Sequence, residues 1–449
     1  MLKKISIFLA AVMLVVMGAG FAFAAPVAMV DGMAAGIVNG TATNAYVNPG
    51  GLGDALIYGY YNVRSNMGNL FTVTNTSTQY GVRARLRVLE ATQSCEIIDF
   101  DICLSAADVW TGLIMNNNGV GNLTVIDADT AIDTADPRGS IAGLLPNLFP
   151  NGINFRFGSD VACTDPANDP VTLTADDTLE GYFIVIAENQ LAETSVTGAT
   201  TCGEKDTNGA VKTLWDSTVE VGNVLYGNDY SVDLTNLNTY AYNATAIADF
   251  TDLTFNTSPI AENPNLASGS DGIIGLNFIL SKNNVLGSYY DLGAGTEMVV
   301  TFPTKKATVA PGAADDIFDD SRVVITAYDT AENSKTSVCQ LSPCPPSQSS
   351  SLPNEVNVIS INGSSIVDSV VEVDISVDYA MGWLNIDLVN ALTGTPAGPL
   401  AHATTESTFT ASGLPAIGYV MTSISDNGFN WMLPLQYTNS VDNSAITAP

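Results

Sequence analysis

Between Val82 and Val88 the chain alternates Val82, Ala84, Leu86 and Val88 with Arg83, Arg85 and Arg87. A period of two sorts apolar from charged side chains only on an extended strand. A second alternation follows, in which Ile98, Phe100, Ile102 and Leu104 alternate with Ile97, Asp99, Asp101 and Cys103. Together they predict two neighbouring strands, with acid on one facing arginine on the other. Tyr58, Tyr60 and Tyr61 mark an aromatic strand, and GYFIVIA at 181–187 is a continuous β-branched run that predicts burial on both faces. In the C-terminal part, Val371, Val373, Ile375 and Val377 alternate with Glu372, Asp374, Ser376 and Asp378. Gly227-Asn228-Asp229, between VGNVLY and YSVDL, reads as a hairpin turn. Many short strands, regular turns and no fixed-period repeat predict an all-β fold of antiparallel β-sandwich lobes, Ig-like or jelly-roll-like, with long loops.

The ends and breaks divide the chain. Lys3 and Lys4, an apolar run from Ile5 to Val16 and the small-x-small end Ala22-Phe23-Ala24 predict a secretory signal over 1–24, cleaved before Ala25. No Cys follows the signal closely, which argues against an N-terminal lipid anchor. Residues 25–50 are apolar without a sustained period and read either as an arm that docks on the body or on another subunit or as a disordered leader. Residues 51–341 form the main β-sandwich region, with the polar stretch 256–271 as a candidate subdomain boundary. SPCPPSQSSSLP at 342–353 reads as a linker, leaving 354–449 as a C-terminal β region. No later segment approaches about 18 uninterrupted apolar residues, so the mature chain is expected to lack a transmembrane segment. The address is therefore periplasmic, cell-surface or extracellular.

Lys and Arg total 15 against 46 Asp and Glu, a formal net charge of −31. Such a chain repels a phosphate backbone instead of releasing its counterions, which excludes nucleic acid as a partner. Six cysteines in an exported chain predict disulfides. Cys339 and Cys344 are separated by QLSP, and Cys163 and Cys202 flank an Asp-, Thr- and Gly-rich stretch; nearest-neighbour pairing fits both. Cys95 and Cys103 remain. A straight strand would hold them about 26 Å apart, so either the chain bends inside EIIDFD or this pairing is wrong. With no CxxC pair and a single histidine, a zinc site is excluded.

That histidine, His402, sits in PLAHATTES with no recognisable nucleophile motif beside it. No GxSxG, P-loop, GxGxxG before a helix or HExxH is present. Glu90, Glu96, Asp99 and Asp101 could serve glycoside hydrolysis if two of them stood about 5 to 9.5 Å apart across a sugar. With Arg83, Arg85 and Arg87 opposite, cross-strand ion pairs are the stronger reading. Those arginines and Arg64 could alternatively meet the acidic surface of another copy. Calcium is the one cofactor with compositional support, at Asp127, Asp129, Asp133 and Asp136 or at Asp315–Asp320. The first loop is not an EF-hand, because Ile132 and Arg138 stand where Gly and Glu are required. Tyr58, Tyr60, Tyr61 and Trp110 are candidate stacking residues for a glycan, with core packing as their competing role.

With these residues laid out, the chain resembles a family of exported, β-rich envelope or surface proteins of Gram-negative bacteria for which no activity is established. The resemblance is carried by GDALIYGYYNVR, FTVTNTS, LEGYFIVIAE, YAYNATAIADF, GTEMVVTFPTKK, EVNVIS, GWLNIDL and GLPAIGYV, and most specifically by IIDFDICLSAADVWTG. It implies export and a shared β scaffold and brings no catalytic residues. The sequence thus predicts a non-catalytic structural or interaction protein of the cell envelope or extracellular space, meeting other envelope proteins or copies of itself. A secreted glycan- or ligand-binding module is the alternative, and a secreted acidic-residue hydrolase the third reading.

Overall fold

Strand Glu180–Leu191 shows how the chain builds its layers. Tyr182, Ile184 and Ile186 point to one face, Phe183, Val185 and Ala187 to the other, and all six are buried. The continuous apolar run predicted this: a strand covered on both faces cannot alternate with polar residues. It lies inside its sheet, antiparallel to Gly81–Glu90 on one side and Ala55–Asn62 on the other. The computed structural model describes residues 46–126, 152–161, 170–191, 222–235, 238–248, 280–291, 293–303, 322–336, 350–388, 414–423 and 430–439, with some short strands and single residues between them. These residues are mostly strand, with two short 3-10 turns.

Four sheets stack with three apolar cores between them. The first has six antiparallel strands, in the order Ile153–Asn154, Gly121–Val125, Val109–Asn116, Met67–Asn75, Leu225–Asp233, Thr239–Asn243. The second has seven, in the order Ala131–Asp133, Glu96–Leu104, Gly81–Glu90, Glu180–Leu191, Ala55–Asn62, Thr245–Ala248, Tyr46–Val47. Between them lie Tyr58, Phe71, Phe100, Trp110 and Phe183. These two sheets make the N-terminal lobe.

The C-terminal lobe contributes the other two. Its inner sheet runs Glu372–Ile375, Val356–Ile361, Gly295–Thr301, Ile417–Ser423, Asn430–Pro434, antiparallel except for the parallel pair Val356–Ile361 with Glu372–Ile375. Its outer sheet runs Ser334–Thr336, Arg322–Asp329, Met381–Asp387, Ser281–Tyr290, with Leu414–Pro415 and Gln436–Asn439 along the last strand. Val285, Tyr289, Ile325, Leu384 and Ile386 of the outer sheet meet Met298, Val300 and Ile359 of the inner one. The remaining core joins the lobes: Ile57, Tyr60, Tyr182 and Ile184 pack on Val299, Val358, Ile417 and Tyr419. The chain is an all-β stack of sandwich-like layers. Among the described residues no helix is long and apolar enough to cross a membrane.

Three sequence expectations are corrected. The lobes do not divide at 342–353, because strands on both sides of that stretch pair within the same sheets: Gly295–Thr301 with Val356–Ile361, and Arg322–Asp329 with Met381–Asp387. The change from one lobe to the other falls between Ala248 and Ser281, an interval that contains the candidate boundary at 256–271, itself outside the described residues. Gly227-Asn228-Asp229 is no turn. These residues run through the middle of strand Leu225–Asp233, in unbroken register with Met67–Asn75. Glycine is needed at 227 because a Cβ there would overlap the Tyr58 hydroxyl. Finally, Cys95 is bonded to Cys163 and not to Cys103, so the pairing of Cys163 with Cys202 is corrected too. Glu96–Leu104 has one irregularity in its pairing, at Ile97, but continues as a single strand and does not fold back as a bond between Cys95 and Cys103 would require. Cys103 is itself disulfide-bonded. Cys202, Cys339 and Cys344 lie outside the described residues, as do the signal segment and most of the arm.

Candidate functional site

The arginine and acid alternations do face each other. Arg85 stands opposite Asp101, and Arg87 opposite Asp99. Asp101 accepts from Arg83 and, at 2.9 Å, from Arg85; Arg85 also bonds Asp99, and Arg87 bonds Glu96 at 2.5 Å. The side that a half-buried strand would wet is closed off here, since Arg85, Asp99 and Asp101 are all buried. Burial works against the charge of Arg85, but the carboxylates of Asp101 and Asp99 outweigh it and raise its pKa. Arg64 is buried as well and reaches Asp176 at 2.6 Å and Glu180 at 3.6 Å. All four arginines therefore bond within the chain, which is the ion-pair reading of these residues.

The carboxylates considered for hydrolysis are held in the same way. Glu90 accepts from the backbone N–H groups of Thr92, Gln93 and Cys95 and from the Thr92 hydroxyl, so it ties together the turn between two strands. Tyr58, Tyr60, Tyr61 and Trp110 are fully buried, which takes them away from any glycan. Tyr58 stacks on Phe183 at 4.3 Å, and Trp110 leans on Phe71 and Phe100. They sit in strands paired on both sides, with their rings turned into the cores, where an aromatic ring contributes its area to the packing. Asp133 ends strand Ala131–Asp133 opposite Asp101, and His402 lies in strand Leu400–Ala403 opposite Phe409. Asp127, Asp129, Asp136 and the 315–320 loop lie outside the described residues. Among the described residues no group of three His, Cys, Asp or Glu side chains could hold a metal ion.

Sequence reasoning missed the polar groups buried where the lobes meet. The loop after Val356–Ile361 is gripped by two carboxylates, one from each lobe. Glu297 of the C-terminal lobe accepts from the N–H groups of Ile366 at 2.7 Å and Val367 at 3.1 Å. Glu180 of the N-terminal lobe accepts from the hydroxyls of Ser369 at 2.6 Å and Tyr60 at 2.7 Å, and from the Val370 N–H at 3.0 Å. Asn62 donates to the Asp368 carbonyl, and Ser65 bonds the Asp368 carboxylate. Desolvation raises the pKa of both glutamates, that of Glu297 to about 8.

Asp229 stands beside this contact. Its Oδ2 lies 2.8 Å from the Tyr242 hydroxyl, and its Oδ1 accepts from Asn69 at 2.6 Å. The same hydroxyl donates to the Tyr60 carbonyl at 3.0 Å and accepts from the Tyr60 N–H at 3.2 Å. One hydroxyl hydrogen cannot serve both the carbonyl and Asp229. A protonated Asp229 resolves this by donating to Tyr242, in keeping with a pKa that burial pushes up to about 8.

A different chemistry faces outward from the last sheet. One row across it reads Ser334, Tyr328, Trp383, Ser288, each directly opposite the next. Tyr328 and Trp383 stack face to face, with centroids 4.2 Å apart and planes 8° from parallel. Trp383 is 38% exposed, and both serines are exposed. The next row on the same face carries Thr326, Asn385, Leu286 and Gln436. The signal was legible in GWLNIDL: Trp383 shares the register of Asn385 and Asp387, while Leu384, Ile386 and Leu388 point inward to the core. Comparison with protein-family models, with curated proteins and with solved structures finds no match.

Proposed function

We propose that the chain is an exported, non-catalytic structural or interaction protein of the cell envelope or extracellular space. The observation that carries this reading is the work done by its buried carboxylates. Glu90, Asp99, Asp101, Glu180, Asp229 and Glu297 are each held by donors of the fold, as turn ties, cross-strand ion pairs or clamps between lobes. Acid–base hydrolysis instead needs two carboxylates presented to a substrate with their pKa values set apart. Export is supported by the signal-like N-terminus and by the bond between Cys95 and Cys163, a linkage that persists in oxidising compartments. The partners this reading calls for are other envelope proteins or further copies of the chain.

Fractionation of producing cells, with labelling of intact cells by a membrane-impermeant reagent, tests the proposal. The mature protein is expected in the periplasmic, surface or culture fraction with its N-terminus at Ala25. Recovery only from the cytoplasm, with the signal retained and the cysteines reduced, overturns it.

A further inference from the structure

We propose that the Tyr328–Trp383 ridge on the outer sheet of the C-terminal lobe is a binding site for a neutral polysaccharide, with Trp383 as its stacking residue. This rests on the reading of the chain as an interaction protein and names the chemistry of one partner. Neighbouring strands lie about 4.8 Å apart, so each residue of the row Ser334, Tyr328, Trp383, Ser288 occupies one lane. Two aromatic rings fill the middle lanes and a serine takes the lane on either side. Each ring thus has one face against its neighbour and the other over a side chain too short to cover it. A cross-strand aromatic pair serving the sheet alone has no need of that clearance.

Ser288 leaves the outer face of the Trp383 ring uncovered by any large side chain of its own strand position. Trp383 stands on one side of Ser288, and Leu286 lies two residues away along the strand on the same face; the ring of Tyr290 instead meets Trp431 of the inner sheet edge-on at 5.8 Å. A pyranose presents a face of C–H groups to an aromatic ring and a rim of hydroxyls to polar neighbours, which matches an aromatic wall beside amides. Asn385 supplies such a neighbour: its Oδ1 accepts from Asn284 at 2.9 Å, which leaves its own N–H donors for a ligand. Ser288, Ser334, Thr326 and Asn385 set hydroxyls and an amide beside the two rings, and Met381, 40% exposed, and Leu286 add apolar area along the same face. Charge decides the class of sugar. Asp387 lies on the same face in a chain of net charge −31, so an acidic polysaccharide is repelled and a neutral one is not.

Affinity electrophoresis of the full mature chain through gels holding hydroxyethylcellulose, galactomannan, dextran or alginate tests the site. Retardation is expected in at least one neutral polysaccharide and not in alginate. Trp383→Ala is expected to weaken that binding at least tenfold, about 1.4 kcal/mol. Ser288→Trp, which fills the lane while keeping the aromatic pair, is expected to do the same. Tyr80→Ala, at an exposed tyrosine of the other lobe, is expected to bind like the parent. Absence of retardation in all three neutral gels, stronger retardation in alginate, or undiminished binding by both Trp383→Ala and Ser288→Trp overturns the proposal. Such a result leaves the export reading standing, since fractionation reads that separately.

Discussion

Asp229 and Tyr242 place a buried acid beside the contact between the lobes. Tyr242 bonds the backbone of Tyr60 and lies against Tyr419 of the other lobe, with ring centroids 4.4 Å apart. In the unfolded chain Asp229 releases its proton near pH 4; in the folded chain it holds it to about 8. Between those values the folded state binds a proton that the unfolded state has lost, so stability falls as pH rises through that window and levels off above it. Glu297, also raised to about 8, adds a slope of the same sign. Melting temperature measured from pH 5 to 9 is therefore expected to fall steadily to about pH 8. In Asp229→Asn, which keeps the shape and removes the titration, the fall is expected to be shallower. An unchanged slope would show that Asp229 does not titrate as described. Glu180 makes a complementary case. Glu180→Ala strips the acceptor from Tyr60, Ser369 and Val370 at once and is expected to cost about 3 to 5 kcal/mol in urea denaturation. Glu180→Gln, which keeps one acceptor oxygen, is expected to cost less.

Single strands explain what could be read in the letters and what could not. GYFIVIA and the alternation at 82–88 were legible because burial on each face leaves its own period in the sequence. Gly227 was misread because glycine before Asn-Asp carries the signature of a turn. The actual reason for the glycine is the Tyr58 hydroxyl, which sits 169 positions earlier in the chain and leaves no local trace. Gly227→Ala is expected to destabilise the protein by about 1 to 3 kcal/mol, read by thermal or urea unfolding, since the new methyl forces Tyr58 off its bond to Thr72. Disulfide pairing was illegible for a related reason: proximity in sequence says little about which loops a sheet brings together. Cys95 and Cys163 are 68 residues apart. Removing that bond with Cys95→Ser and Cys163→Ser is expected to cost about 2 to 5 kcal/mol in the same assay. Peptide mapping without reduction should recover the two cysteines in one cross-linked fragment. The clamp residues Glu180 and Glu297 could not be read at all, because a lone glutamate before an apolar run looks like a solvated strand end.

At the scale of the molecule, the core between the lobes is as apolar as the cores within them. Ile57, Ile184, Val299, Val358, Ile417 and Met421 are almost wholly excluded from solvent. Lobes joined by a tether alone would show polar facing surfaces, and Pro- and Ser-rich composition at 342–353 suggested such a tether. Composition reports where a chain lacks periodicity, whereas strand pairing decides which segments share a sheet, and here the strands flanking that stretch lie side by side. Separating the lobes would expose this third core and leave the donors of Tyr60, Ser369 and Val370 without Glu180. One rigid β body, carrying its recognition chemistry on an outer sheet face, is the central claim. Differential scanning calorimetry of the mature chain tests it most directly. A single transition whose calorimetric and van't Hoff enthalpies agree is the predicted result. Two resolved transitions would contradict it.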